Sequence, residues 1–121
     1  MRFELSQRFL FDAAHTLRRG IETDSSARVH GHTYQAEVAV AGQPDAATGM
    51  VVDLGVLRAE LERIRLRLGH HLLDEAEGLG PPTLENLCIF LARLATQAGL
   101  SVSRACVWCE GIGDRRELRV N

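Results

Sequence analysis

Residues 30–41 read His-Gly-His-Thr-Tyr-Gln-Ala-Glu-Val-Ala-Val-Ala, and this stretch decides the fold. From Thr33 onward the residues alternate as they do in a β-strand. One face of that strand is apolar and consists of Tyr34, Ala36, Val38 and Val40. Such a strand belongs to an antiparallel sheet with one side against a core. His30 and His32 are two positions apart, so on a strand both imidazoles point to the same face.

Further strands are predicted on both sides of this segment. Residues 2–14 mix apolar and polar positions in a strand-like way, and residues 42–49 are typical of a hairpin turn or a longer loop. Residues 50–52, Met-Val-Val, then predict a short strand. Near the C-terminus, residues 102–110 and 116–120 predict a closing antiparallel hairpin around Gly-Ile-Gly-Asp.

Two helices are predicted between these strands. The first has leucines and an isoleucine at spacings of three and four over residues 54–68, with Asp53 as the N-cap and Gly69 at its end. The second covers residues 84–98, with Thr83 as the cap and Gly99 at its end. The order β-β-β-α-α-β-β predicts an α+β domain, with an antiparallel four- to five-stranded sheet and two helices on one face.

Composition limits the class of protein. The 121 residues have room for one domain, residues 1–121, and the net charge of −2 gives no basic surface for nucleic acid. No apolar run is long enough to cross a membrane, and the N-terminus lacks the layout of a signal peptide. With only three cysteines, a reduced cytoplasmic protein is expected. All fourteen basic residues are arginine, which excludes Lys Schiff-base catalysis and a P-loop.

The histidines carry the chemistry. His15 ends the first predicted strand, where antiparallel pairing would bring it beside His30 and His32. Three neutral imidazoles leave one tetrahedral position open, which is the arrangement of catalytic zinc. Spacing alone leaves two interpretations open, a metal site and histidines with a purely structural role. Cys106 and Cys109 form a C-x-x-C, but on a strand they face opposite ways, and we interpret both as small apolar residues.

Five segments resemble the 6-pyruvoyl-tetrahydropterin synthase and 6-carboxytetrahydropterin synthase family. They are Phe11-Asp12-Ala13-Ala14-His15-Thr16-Leu17, His30-Gly31-His32-Thr33-Tyr34, Gly49-Met50-Val51-Val52-Asp53-Leu54, Pro82-Thr83-Leu84-Glu85-Asn86 and Val107-Trp108-Cys109-Glu110. The resemblance implies a tunnelling fold, in which sheets of several subunits join into a barrel, commonly as a homohexamer with active sites at subunit interfaces. It also implies Zn²⁺ bound by His15, His30 and His32, with Glu110 as the anchor of a pterin substrate.

Two positions depart from the family pattern. Where family members carry Cys in Cys-x-x-x-His-Gly-His, this chain has Ser26, whose hydroxyl is a poor base without an activating group. Gly69 replaces the Asp that orients the following histidine, while His70 itself is retained. Ser26 and His70 are therefore the candidate catalytic residues, and we expect a changed or slower reaction. His71 or Asp74 is a possible substitute for the missing carboxylate.

The resemblance implies a zinc-dependent lyase of the 6-carboxytetrahydropterin synthase type, or a close paralogue. Its substrate would be 7,8-dihydroneopterin triphosphate, converted with loss of acetaldehyde and triphosphate on the path to queuosine-type deazapurines. Two alternatives stay open. One is an aldolase-like paralogue that gives a 6-hydroxymethyl dihydropterin, using an acidic residue such as Glu22 or Asp24. The other is a pterin-binding protein without turnover.

Overall fold

A computed structural model describes residues 1–17, 20–21 and 27–120. The elements in chain order are β1 (Phe3–His15), β2 (His30–Gly42), α1 (Leu54–Leu68), a 3₁₀ turn (Leu73–Glu75), α2 (Leu84–Gln97), β3 (Val102–Cys109) and β4 (Asp114–Arg119). The strands form one antiparallel sheet in the order β1-β2-β3-β4. The predicted α+β class and the antiparallel sheet are confirmed. None of the described helices has the length and apolarity needed to span a membrane.

The core lies between one face of the sheet and the two helices. The predicted apolar face of β2 is fully covered, with Tyr34, Ala36 and Val38 all at 0% exposure. Helix α1 begins where Asp53 accepts hydrogen bonds from the backbone of Gly55 and Val56. The buried residues of α1 are Leu57, Leu61, Ile64 and Leu68, while Leu54 at its first position stays exposed.

The predicted strand at residues 50–52 is wrong. The backbone there closes a turn, because Asp45 N donates to the Met50 carbonyl at 2.9 Å and Gly49 N donates to the Asp45 carbonyl at 2.7 Å. Asp53 then caps α1 immediately, so no length remains for a ladder with another strand. Val52 nevertheless packs against the core, which explains its apolar character.

The chain after α1 runs beside the end of β1 and adds a fragment of a fifth strand. Ala14 forms a single parallel bridge with Leu72, and Ala14 N donates to the His71 carbonyl at 3.1 Å. His70 N donates to the Asp12 carbonyl at 2.6 Å. This arrangement places the loop that carries His70 next to the strand ends that carry the other histidines.

Candidate metal centre

Strand pairing brings the three predicted ligands together. In the register of β1 and β2, His15 lies opposite His30, and His32 follows two positions later on the same face. The Nε2 atoms of His15 and His30 are 2.9 Å apart, and the ligand atoms of all three histidines lie within 4.8 Å of one another. His15 is 5% exposed, so the cluster begins at the edge of the core.

Backbone carbonyls fix which nitrogen of two imidazoles carries the proton. His15 Nδ1 lies 3.0 Å from the Pro82 carbonyl oxygen, and His30 Nδ1 lies 2.8 Å from the Arg28 carbonyl oxygen. A carbonyl only accepts, so Nδ1 is the donor in both rings and Nε2 keeps a lone pair. Two such lone pairs facing each other at 2.9 Å repel unless a cation lies between them. The donor set therefore fits a bound metal ion.

Electrostatics favour the neutral, ligating form of these rings. Burial lowers the pKa of His15, and the neighbouring His30 and His32 lower it further. Burial also lowers the pKa of His32, with a second contribution from His30. Because metal ligands must be deprotonated, these shifts leave the lone pairs available at neutral pH.

The cluster opens into a cavity of about 820 Å³, a volume suited to a small organic ligand. Its wall combines residues from β1, β2, the 3₁₀ turn, the start of α2, and the hairpin of β3 and β4. Asp74 in this wall accepts hydrogen bonds from the backbone N (2.9 Å) and the hydroxyl of Thr16. Both carboxylate oxygens are thus used to fix the chain directly after His15. Cys109 also lines the cavity, and burial raises the pKa of its thiol.

His70 lies in a different pocket. Together with His71, Asp12 and Thr33 it lines a shallow depression that shares His32 with the first cavity. Its backbone has φ of 59°, a left-handed conformation that costs strain for a residue other than glycine. Such strain is concentrated at functional positions, and here the His70 N–H bond to Asp12 holds the conformation in place.

Glu110 lies just beyond the end of β3, exposed to solvent. Its carboxylate accepts a hydrogen bond from Trp108 Nε1 at 3.3 Å. It is absent from the described residues that line the cavity, although its neighbour Cys109 is present there. Within one chain the three histidines, His70 and Glu110 therefore do not share a single pocket. The predicted catalytic Ser26, and the acidic alternatives Glu22 and Asp24, fall outside the described residues.

Comparison with known proteins identifies the family. The family model for 6-pyruvoyl tetrahydropterin synthase matches residues 4–115. The chain belongs to this family. The 6-carboxy-5,6,7,8-tetrahydropterin synthase of Synechocystis is 33% identical over 76% of this chain and 74% of its own length. The 6-pyruvoyl tetrahydropterin synthase of Caenorhabditis elegans has the same fold, with a TM-score of 0.80 at 20% identity over 100% of this chain and 97% of that one.

The resemblance predicted from the sequence motifs is thus confirmed at the level of the family. Tetrahydropterin synthases are lyases, so the prediction of an enzyme family of that class is also confirmed. A third relative carries a different name: the dihydroneopterin monophosphate aldolase of Pyrococcus furiosus is 26% identical over 89% of this chain and 90% of its own length.

Gly69, one of the two departures from the family pattern, has an ordinary backbone. Its φ of −65° and ψ of 137° suit any residue, so glycine is not required for conformation. A Cβ built there would lie 3.3 Å from the Arg65 carbonyl oxygen, a tight contact that a small shift relieves. A carboxylate at this position is therefore compatible with the fold.

Sequence reasoning missed two residues of the site. Tyr34 was predicted as a core residue, yet its hydroxyl lies 3.1 Å from His15 Nδ1. Cys109 fits the sequence interpretation of a small apolar residue, yet it lines the cavity. The signal for Tyr34 was its position two residues after His32 on the same strand face. No comparable signal existed for Cys109, because its surroundings come from residues distant in the sequence.

Proposed function

We propose that this chain is a cytoplasmic zinc-dependent lyase acting on a dihydropterin, of the 6-carboxytetrahydropterin synthase type or a close paralogue. The proposed substrate is 7,8-dihydroneopterin triphosphate. The observation that carries the proposal is that the Nε2 lone pairs of His15 and His30 face each other, with His32 as a third donor nearby. These three residues line a cavity large enough for a small organic ligand. The synthase from Synechocystis, at 33% identity, supports the substrate class.

His15, His30 and His32 would hold the Zn²⁺, and three protein ligands leave one position open for substrate. Bound there, the ion would polarise the side-chain oxygens of the pterin and make their protons easier to remove. Glu110 has the chemistry to accept two parallel N–H donors from the amino-pyrimidinone edge of the ring. His70 would then transfer protons, because an imidazole can donate a proton from one ring nitrogen and accept one at the other.

Assembly would supply what one chain lacks. His70 and Glu110 lie outside the cavity of the three histidines, so we propose a homo-oligomer, a hexamer by family resemblance, in which copies complete each other's sites. The sheet face opposite the helices is consistent with a tunnel wall, because it carries a cluster of charged side chains. There Glu37, only 7% exposed, accepts from Arg8 Nε at 3.0 Å and pairs with Arg104.

The test is to incubate the zinc-loaded protein with 7,8-dihydroneopterin triphosphate and to identify products by mass spectrometry. We expect the 6-carboxy product together with acetaldehyde and triphosphate. His70→Gln should reduce kcat by about a hundredfold or more. His71→Gln removes the adjacent imidazole, which bonds to the Gly69 carbonyl, and serves as the matched control. Unchanged substrate with zinc bound would refute the synthase activity.

The second candidate is aldolase-type cleavage that gives a 6-hydroxymethyl dihydropterin. The aldolase of Pyrococcus furiosus favours it, since it aligns over 89% of this chain. Ser26, which by family resemblance stands where the synthases have their cysteine, counts against the standard synthase chemistry. Detection of a glycolaldehyde-type product instead of acetaldehyde in the same assay would select this activity.

A further inference from the structure

Tyr34 lies directly behind the proposed metal ligands and contacts two of them. Its side chain is fully buried, and its ring stacks on Phe11 with centroids 5.0 Å apart and planes at 15°. Its hydroxyl lies 3.1 Å from His15 Nδ1. Its ring meets the His32 ring at 74°, with centroids 5.6 Å apart. One rigid side chain thus supports imidazoles from two different strands.

The hydrogen bonds at His15 give this contact a specific consequence. The His15 Nδ1 donor lies between two oxygens, the Pro82 carbonyl at 3.0 Å and the Tyr34 hydroxyl at 3.1 Å. The carbonyl fixes the tautomer, since it can only accept. An N–H held between two oxygens also resists rotation of the ring, because rotation lengthens at least one contact. The second contact therefore fixes the direction in which Nε2 points.

We propose that Tyr34 is a positioning residue for the metal centre, which holds His15 so that its Nε2 faces the other two ligands. This inference rests on the proposed metal site. Groups that hydrogen-bond to the far nitrogen of a ligating histidine commonly change metal affinity by 10- to 100-fold. A purely structural core tyrosine would have no such effect once its ring is kept, because the Pro82 carbonyl remains.

Tyr34→Phe separates the two roles, since it keeps the ring and its stacking and removes only the oxygen. Zinc affinity is measured by competition with a chromophoric chelator, and the ligand field by the visible absorption of the cobalt-substituted protein. We expect a zinc affinity at least about tenfold weaker and a shifted cobalt spectrum. Two controls accompany it. Thr33→Val removes the neighbouring hydroxyl, which bonds to Asp12, and Phe11→Leu loosens the packing while keeping the Tyr34 oxygen.

Weaker binding in Tyr34→Phe, with both controls within about twofold of wild type, supports the inference. Equal zinc affinity in Tyr34→Phe and wild type would overturn it and leave the metal site standing. A loss of affinity in Phe11→Leu as large as that in Tyr34→Phe would also overturn it, because packing would then explain both. If the wild-type chain binds no zinc, the proposed metal site fails first and this inference fails with it.

Discussion

The cavity of the three histidines and the shallow pocket of His70 differ in how completely a single chain builds them. In the first, His15 and His30 are held by strand register and by backbone carbonyls, and the pKa of His15 is lowered by burial. In the second, His70 is exposed and strained, and no orienting carboxylate precedes it, because Gly69 stands where the family resemblance implies Asp. The comparison teaches that one chain by itself assembles the three candidate metal ligands, whereas the groups proposed for proton transfer and pterin binding are not brought together by the fold of one chain.

The largest effect is expected from His32→Ala. Removing one of three ligands should weaken zinc binding by about 300-fold to several thousandfold, because a zinc site shares roughly 10–16 kcal/mol among its ligands. Turnover should disappear with the metal. Chelator competition and metal analysis measure the affinity, and circular dichroism checks that the fold is kept. If the His32→Ala protein still retained one zinc per chain, the three histidines would not be the metal site, and the proposed difference between the two pockets would be wrong.

His70→Gln should leave zinc affinity unchanged and reduce kcat by about a hundredfold or more, the usual contribution of general acid–base catalysis. Among the described residues, the shallow pocket of His70 contains no second set of metal ligands. The variant should therefore lower kcat without changing zinc affinity. His71→Gln is the control, since the His71 Nδ1 bonds only to the nearby Gly69 carbonyl among the described groups. Loss of zinc in His70→Gln would contradict the assignment of metal binding and proton transfer to different pockets.

A smaller effect, a gain of up to about tenfold in kcat, is expected from Gly69→Asp, because a carboxylate would orient the His70 imidazole. Arg65 Nη1 lies 3.9 Å from the Cβ position and would compete for the new carboxylate, which limits the gain. Gly69→Asn has the same shape without the charge and is the matched control. An equal gain in both variants would show that charge plays no part. The double variant with Ser26→Cys extends the test to the second departure from the family pattern.

The strain at His70 predicts a stability difference of about 1 kcal/mol between two variants that both lack the imidazole. His70→Gly should unfold at higher urea concentration than His70→Ala, because glycine adopts a φ of 59° without a steric penalty. Equal midpoints would mean that the backbone at this position carries no strain.

The smallest effect concerns pH. The pKa values of His15 and His32 are lowered, first by burial, so the folded chain binds fewer protons than the unfolded chain just below the ordinary value of about 6.5. The metal-free protein should therefore lose stability as the pH falls from 7 through that window. Urea unfolding at several pH values measures the slope, and a His15→Gln variant should flatten it. A stability that rises on acidification would contradict the burial of these rings.

The sequence predicted strands and helix starts correctly where a short run of residues both carries the pattern and forms the element. The alternation from Thr33 and the caps Asp53 and Thr83 set the strand and both helix starts. The prediction of a strand at residues 50–52 was wrong because the apolar side chain of Val52 packs against the core, while the backbone of Met50 takes part in a turn.

The site was predictable only where pairing is local. Antiparallel register predicted that His15 would meet His30, and this is observed. The carbonyl groups of Pro82 and Arg28 fix the tautomers of His15 and His30. Every residue type has a backbone carbonyl, so the sequence could not indicate this role. The position of Cys109 in the cavity wall follows from packing between β3 and its neighbours, which spacing alone does not reveal.

X-ray absorption spectroscopy of the zinc-loaded protein tests the central claim most directly, because it reports the number and type of ligands around the ion. One zinc per chain is predicted, with nitrogen and oxygen ligands at about 2.0–2.1 Å and scattering from three imidazoles. A sulfur ligand at about 2.3 Å, or a protein that retains no zinc, would contradict the account.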